Sequence, residues 1–310
     1  MQRAKLVIGS RASKLALLMA EEVRKNLLLR YPFKAEEISI LPLQTKGDAL
    51  QESALADFGG KGLFTETIET ALLKGEIDIA VHSAKDMPSF LPDGLHIAGY
   101  LKREDPRDVF VGTEGKSFFD LPKGARLGTA SLRRQALAKR ARPDLDIVLL
   151  RGNVETRLAK VAKGLVEGTF LAVSGLKRLG LSDYLHYMMP IKDFLPAPGQ
   201  GAICLETRQD DSKINEWCRA VCDKQTGIMV SAERHFLSIL DGSCRTPLGA
   251  YATSCSEGLA FEAIILQPNG EKVFNVRLIG KQQQAHSLAE EAAIILRRKA
   301  GEDFFASWKK

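Results

Sequence analysis

The chain has 310 residues, 45% hydrophobic and 26% charged, an ordinary globular balance with a formal net charge of +6. That length allows two or three domains, and the positive balance favours an anionic partner without choosing among nucleic acid, anionic lipid and a small polyacid. No apolar run reaches membrane-spanning length, Lys14 and Glu21 interrupt the one stretch that imitates a signal peptide, and five cysteines without a CxxC pair argue for a reducing, cytoplasmic setting.

Short apolar runs alternate with amphipathic stretches, the pattern of parallel α/β units. KLVIGS reads as a strand, and Ser13 caps a helix carrying Leu15, Leu18, Met19, Val23 and Leu27. EISILPL is a second strand, LFTETIETALLKG a helix closed by Gly75, and IDIAVHS a third strand. Between them QTKGDALQESALADFGGKG is long, polar and glycine-rich, which suits a lid or a disordered segment. After REDPRDVFVG the pattern restarts, with RLGT, DIVLLR and FLAVS as strands and SLRRQALAKRARP and NVETRLAKVAKG as helices. FLPAPGQGAICLE then crosses back towards the first lobe and ends in a strand. From about residue 220 the character changes to a helix, TGIMVSAERHFLSIL, then strands PLGAYA, LAFEAIIL and VFNVRLIG around a PNG turn, then a closing helix from Ser287. The expected domains are 1–101 with 196–219, 102–195 and 220–310.

The polar motifs fall at strand ends. HSAKDMP places His82, Ser83, Lys85 and Asp86 after a parallel strand, where loops of an open α/β sheet face a ligand crevice; a solvated Lys–Asp pair on a turn is the competing reading. LGTASLRRQ puts Thr129 and Ser131 at a helix start with Arg133 and Arg134 in its first turns. Free N–H groups, hydroxyls and two guanidiniums make an anion site there, and cations at a helix start oppose the macrodipole, so surface decoration explains them less well. LRGNVETRL repeats the device with Arg151, a capping Asn153 and Arg157, and GSRAS adds Arg11 and Ser13. Several such arginines suggest a ligand with several carboxylates or phosphates, gripped through planar forks. GGKG contributes Lys61 but has no phosphate-loop spacing. Cys204 reads as a buried strand residue, Cys218 and Cys222 as helix-spaced thiols without histidine neighbours, and Cys255 as a turn residue, so no metal site is expected. Cys244, in LDGSCRTPLG, sits instead in turn-forming company.

In this order HSAKDMP, GTASLRRQ, LRGNVETRL, LPAPGQGA and DGSCRTPLG resemble the porphobilinogen deaminase family, also called hydroxymethylbilane synthases, over almost the whole chain. The resemblance implies an α/β fold: two lobes like those of type II periplasmic binding proteins around a cleft, plus a small C-terminal α+β domain. It implies a transferase of porphyrin, tetrapyrrole and haem biosynthesis, which joins four porphobilinogen molecules head to tail and releases ammonia at each step. The chain grows on a covalent dipyrromethane primer, and hydrolysis then frees linear hydroxymethylbilane. By motif position, Cys244 carries the dipyrromethane as a thioether and Asp86 is the catalytic residue. Arg11, Ser13, Lys61, Ser83, Lys85, Thr129, Ser131, Arg133, Arg134, Arg151, Arg157 and Gln200 bind cofactor and substrate. The resemblance further implies a cytoplasmic monomer with no nucleic-acid or membrane partner.

Two other readings use the same residues. A non-catalytic solute-binding module for a polycarboxylate ligand explains the arginines but leaves Cys244 and the third domain idle. Nucleic-acid binding rests on net charge alone, because the basic residues sit at strand-to-helix junctions rather than in a stripe interleaved with aromatics.

Overall fold

Continuous apolar runs in the central strands, covered on both faces, decide the architecture of the two lobes. The computed structural model describes residues 5–45, 65–240, 246–306 and 308; Lys61, Cys244 and most of the polar stretch expected as a lid lie outside them. The first part of the chain forms β1 (Leu6–Arg11), α1 (Lys14–Arg30), β2 (Ile38–Leu43), α2 (Glu66–Leu73), β3 (Ile79–Ser83) and β4 (Leu95–Tyr100). Next come β5 (Asp108–Gly112), β6 (Arg126–Gly128), α3 (Leu132–Ala141), β7 (Asp146–Val148), α4 (Val154–Ala162), β8 (Gly168–Ala172), α5 (Val173–Arg178) and β9 (Tyr187–Met188). The remainder gives β10 (Ile203–Arg208), α6 (Ser212–Val221), α7 (Lys224–Ile239), β11 (Leu248–Cys255), β12 (Gly258–Leu266), β13 (Val273–Gly280), α8 (Ala285–Ala300) and α9 (Glu302–Ala306).

The chain divides into two compact units, residues 1–104 with 202–227 and residues 105–201 with 228–310. In the first unit the sheet order is β2-β1-β3-β10-β4. β1 pairs in parallel with β2 and β3, and β10 runs antiparallel between β3 and β4. Leu6 and Ile8 of β1 and Ile79 and Val81 of β3 face one core with Ala20, Val23 and Leu27 of α1. The residues between them, Val7 and Ala80, face the opposite core with Ile68 and Leu72 of α2. A strand buried on both faces therefore reads as a continuous apolar run, which is why KLVIGS and IDIAVHS were legible.

The second unit repeats the order as β7-β6-β8-β5-β9, again with three parallel strands and an antiparallel insertion. Phe110 and Phe170 face one side, against Phe118 and Phe194, while Val109, Val111 and Leu171 face the other, against Leu158 and Leu176. The same unit holds the three-stranded antiparallel sheet β11-β12-β13, whose apolar face packs on α7 and α8 through Phe236, Phe261, Ala289 and Leu296. The molecule is thus mixed α/β: two sheet-and-helix lobes and a small C-terminal sheet domain.

Several elements differ from the sequence expectation, three of them instructively. FLAVS was read as one strand, but β8 ends at Ala172 and Val173 opens α5. Val173 and Leu176 are buried, and apolarity alone does not separate a buried strand from a buried helical turn. The closing helix starts at Ala285, two residues before Ser287. β4 was not singled out, because LHIAGY is short and only half-buried at its centre.

Phe170 contacts Phe110, Phe118 and Phe194 at ring-centroid distances of 5.3, 5.2 and 4.5 Å. Phe170→Ala should therefore cost about 3–5 kcal/mol of stability. Denaturant unfolding checks this, and a loss below about 1 kcal/mol would contradict the assigned packing.

Candidate active site

In the first unit Ile8 lies opposite Ile79 and Gly9 opposite Ala80, so β1 and β3 end at the same edge of the sheet. That edge carries Arg11, Ser13, Ser83, Lys85 and Asp86. Ser13 caps α1 by accepting from Ala16 N–H at 3.4 Å, and Ser10 Oγ donates to Ala16 O at 3.1 Å. Ala84–Asp86 form one 3-10 turn. Ala84 N–H donates to Ala202 O at 3.0 Å and Met87 N–H to Ala84 O at 3.4 Å. With Ala84 and Met87 both buried, the turn is anchored on either side of Lys85 and Asp86, and the Asp86 carboxylate is left exposed. His82 is not part of this open group: it is buried, its Nε2 3.0 Å from Glu206 Oε2.

In the second unit β6 and β7 are parallel neighbours, Gly128 opposite Val148, and their carboxyl ends bring the other two motifs together. Thr129 Oγ1 accepts from Ser131 N–H at 3.1 Å, and Ser131 Oγ caps α3 by accepting from Arg134 N–H at 3.4 Å. At the next junction Asn153 Oδ1 accepts from Thr156 N–H at 2.8 Å, and Arg157 Nε donates to Gly152 O at 2.8 Å. Gly152 has φ +114, and a Cβ there would stand 2.6 Å from Thr156 Cγ2, so the turn that presents Arg151 and Arg157 requires glycine. Both arginines are partly accessible.

Arg133, Arg134 and Gln200, expected as cofactor and substrate contacts, have internal partners. Arg133 donates from Nη2 to Asp108 Oδ2 at 2.7 Å and from Nη1 to Leu195 O at 2.8 Å. Arg134 donates from Nη2 and Nε to Asp108 Oδ1, at 2.7 and 3.1 Å, and from Nη1 to Phe170 O at 2.8 Å. Gln200 Nε2 donates to Pro106 O at 2.7 Å and Asp108 Oδ1 at 3.1 Å. All three side chains are buried, and Asp108 has no exposed surface. Two guanidiniums next to one another in the interior need a carboxylate, and Asp108 supplies it. The sequence reading missed Asp108, although an acid opening the apolar strand DVFVG was a usable signal.

Burial alone would raise the Asp108 pKa, but Arg133 and Arg134 outweigh it and hold the carboxyl far below the usual carboxylate range. The cluster counts two cations and one anion, so one positive charge remains behind the start of α3, where Arg133 Nε has no hydrogen-bond partner among the described residues. Of the thiols expected to be inert, Cys204 and Cys218 are fully buried, burial pushes Cys218 upward, and it pushes Cys222 up to about 12, far from thiolate at neutral pH; Cys255, read as a turn residue, instead ends β11.

Residues 6–216 match the family model described as porphobilinogen deaminase, dipyromethane cofactor binding domain, and residues 228–298 match the model of the porphobilinogen deaminase C-terminal domain. The chain belongs to the porphobilinogen deaminase family. A porphobilinogen deaminase of Nitrobacter winogradskyi is 49% identical over 298 residues, covering 96% of this chain and 94% of its own. One of Nitrobacter hamburgensis is 48% identical over the same shares. Among solved structures, an arginine-specific periplasmic binding protein of Salmonella typhimurium is similar at TM-score 0.39 and 16% identity, over 72% of this chain and 94% of its own. Among the described residues no helix is long and apolar enough to cross a membrane.

Asp108→Asn should leave two buried arginines without their carboxylate and cost about 3–5 kcal/mol. Because the folded-state pKa of Asp108 is depressed, its contribution is present above the unfolded carboxyl value, about 3.9, and is lost as pH falls below it. Wild-type stability should therefore decline on acidification below about pH 4, and the variant should lose less over the same interval. Parallel declines in the two proteins would remove Asp108 from that role.

Proposed function

We infer that this chain is a hydroxymethylbilane synthase, a transferase that polymerises porphobilinogen on a dipyrromethane primer. The observation that carries the reading is the match of both parts of the family, in order, to successive parts of the chain. The open polar groups suit the chemistry. Each porphobilinogen unit carries an acetate and a propionate arm, so the growing product accumulates negative charge. Arg11, Ser13, Ser83 and Lys85 in one unit, and Thr129, Ser131, Arg151 and Arg157 in the other, are hydroxyls and cations gathered at the carboxyl ends of parallel strands, where carboxylates are readily bound.

In this reading the exposed Asp86 carboxylate holds pyrrole N–H groups and stabilises the positive charge that develops on the ring as the amine leaves. It also passes protons during amine loss and ring deprotonation. Arg133 and Arg134 act from behind the surface, as fixed charge at the start of α3. The dipyrromethane, when bound, supplies the pyrrole carbon to which the first unit is added. Cys244 is its attachment point: a soft thiolate captures an electrophilic methylene, and a C–S bond survives reduction where a disulfide would not. Lys61 is read as a further contact to the bound chain.

Three domains, 1–101 with 196–219, 102–195 and 220–310, are part of the same reading, in keeping with three separate sheets. So is a cytoplasmic, monomeric enzyme; the free cysteines Cys204, Cys218, Cys222 and Cys255 suit a reducing setting. A polycarboxylate-binding module without activity is not favoured, since the family is one of transferases.

Ammonia release from porphobilinogen tests the assignment. Wild-type protein should release one ammonia per unit consumed, and a protein that binds porphobilinogen without releasing ammonia would contradict the reading. Asp86→Asn should keep the fold and lose about two to four orders of magnitude in turnover, roughly 3–5 kcal/mol of barrier; a near-normal rate would reject the role of Asp86. Arg11→Lys, Arg151→Lys and Arg157→Lys should raise KM or slow cofactor assembly while the melting temperature barely moves. Unfolding with unchanged ligand handling would make these arginines structural.

A further inference from the structure

Beneath the open edge of the first unit lies a buried charged pair that the proposed chemistry does not use. By alternation, His82 of β3 and Glu206 of β10 turn to the α2 side of the sheet, away from the α1 core that takes Val81 and Leu205. His82 is 5% exposed and Glu206 not at all, and His82 Nε2 stands 3.0 Å from Glu206 Oε2. Glu206 Oε1 has no hydrogen-bond partner among the described residues, so the grip of this carboxylate is on His82. The layer disfavours an acid's charge: burial pushes the Glu69 carboxyl of α2 upward, against the Thr65 hydroxyl, and the charge of Glu206 adds to the rise.

The pair is diagonal across the ladder. Cys204 lies opposite His82 and Glu206 opposite Ala80, so the tie joins His82 to a residue two places along β10 from its own partner. Ladder hydrogen bonds lie across antiparallel strands and resist their separation, whereas a diagonal tie resists sliding of one strand along the other. Sliding is the weakness here, because on its other side β10 meets β4 at a bulge: the register shifts between Leu205 and Glu206, which leaves Ala98 without an opposite residue. Just past His82, the Ala84–Asp86 turn hangs from the lead-in to β10 by Ala84 N–H to Ala202 O, at 3.0 Å. A slide of β3 along β10 would carry that turn with it.

We propose that His82 and Glu206 are positioning residues for Asp86: their buried diagonal bond fixes β3 lengthwise against β10, and with it the turn that holds the carboxylate at the sheet edge. This rests on the reading of Asp86 as the catalytic residue. A carboxylate that steadies charge on a ring must stand within hydrogen-bond reach of it, and a displacement of about an ångström is costly there.

The test replaces both partners at once, His82→Leu with Glu206→Leu, which leaves neither orphaned and should fold and melt near wild type. Ammonia release from porphobilinogen gives kcat and KM. The paired variant should lower kcat about tenfold or more, with KM moving less. Placed on Asp86→Asn, the same pair should slow turnover by much less than it does alone, because the group it positions is already disabled. A paired variant with wild-type kcat, whatever its melting temperature, overturns the proposal. So does an equal slowing with and without the Asp86 carboxylate, since the pair would then act elsewhere. Should the paired variant fail to fold, Glu206→Gln decides by the same two readouts, because a neutral amide keeps the size and weakens the tie. A near-normal rate in Asp86→Asn alone removes the reading of Asp86 and the proposal with it, an outcome seen without touching His82 or Glu206.

Discussion

A carboxylate with no access to water stands between two guanidiniums, and much of the second unit is organised around it. Asp108 opens β5, Arg133 and Arg134 open α3, and Gln200 arrives from the segment that leads back to β10. Breaking such a buried pair from one side leaves an uncompensated charge, so these elements are committed to one arrangement. The arginines' remaining donors then hold Leu195 O and Phe170 O, which extends the constraint to β8 and to the 195–200 stretch. A charge of +1 is left over, and it lies behind the Thr129–Ser131 helix start, where an anion is expected to bind.

The two lobes use one device twice. Each has the same strand order, and in each the polar motifs fall where adjacent parallel strands end: Arg11 with Ser83–Asp86 in one, Thr129–Ser131 with Arg151–Arg157 in the other. Parallel strands buried on both faces admit polar side chains along their length only where these find internal partners, as His82 does, so open polar groups collect at their carboxyl ends. The short 3-10 turn that carries Asp86 is an instance: two buried anchors, Ala84 and Met87, with the charged residues between them turned outward.

Much of this was legible in the chain because strand burial writes itself as apolar runs and helix starts as hydroxyl or amide caps; Ser13, Ser131 and Asn153 all cap as their positions suggest. What the sequence could not separate was an arginine left accessible from one that faces an internal acid. Arg133 and Arg157 look alike in their motifs, yet one is buried on Asp108, about 25 positions away in sequence, and the other stays partly accessible. Long-range pairing of that kind has no local signature. FLAVS failed for a related reason, since the end of β8 depends on its partner β5 rather than on the five residues themselves.

As a hydroxymethylbilane synthase, this protein builds its product covalently on a dipyrromethane primer. Intact mass of the purified protein, followed by peptide mapping, tests it most directly. The mass should exceed that of the sequence by about two pyrrole residues, resist reductant and map to Cys244. An active protein without that added mass, or with it on Cys204, Cys218, Cys222 or Cys255, would contradict it.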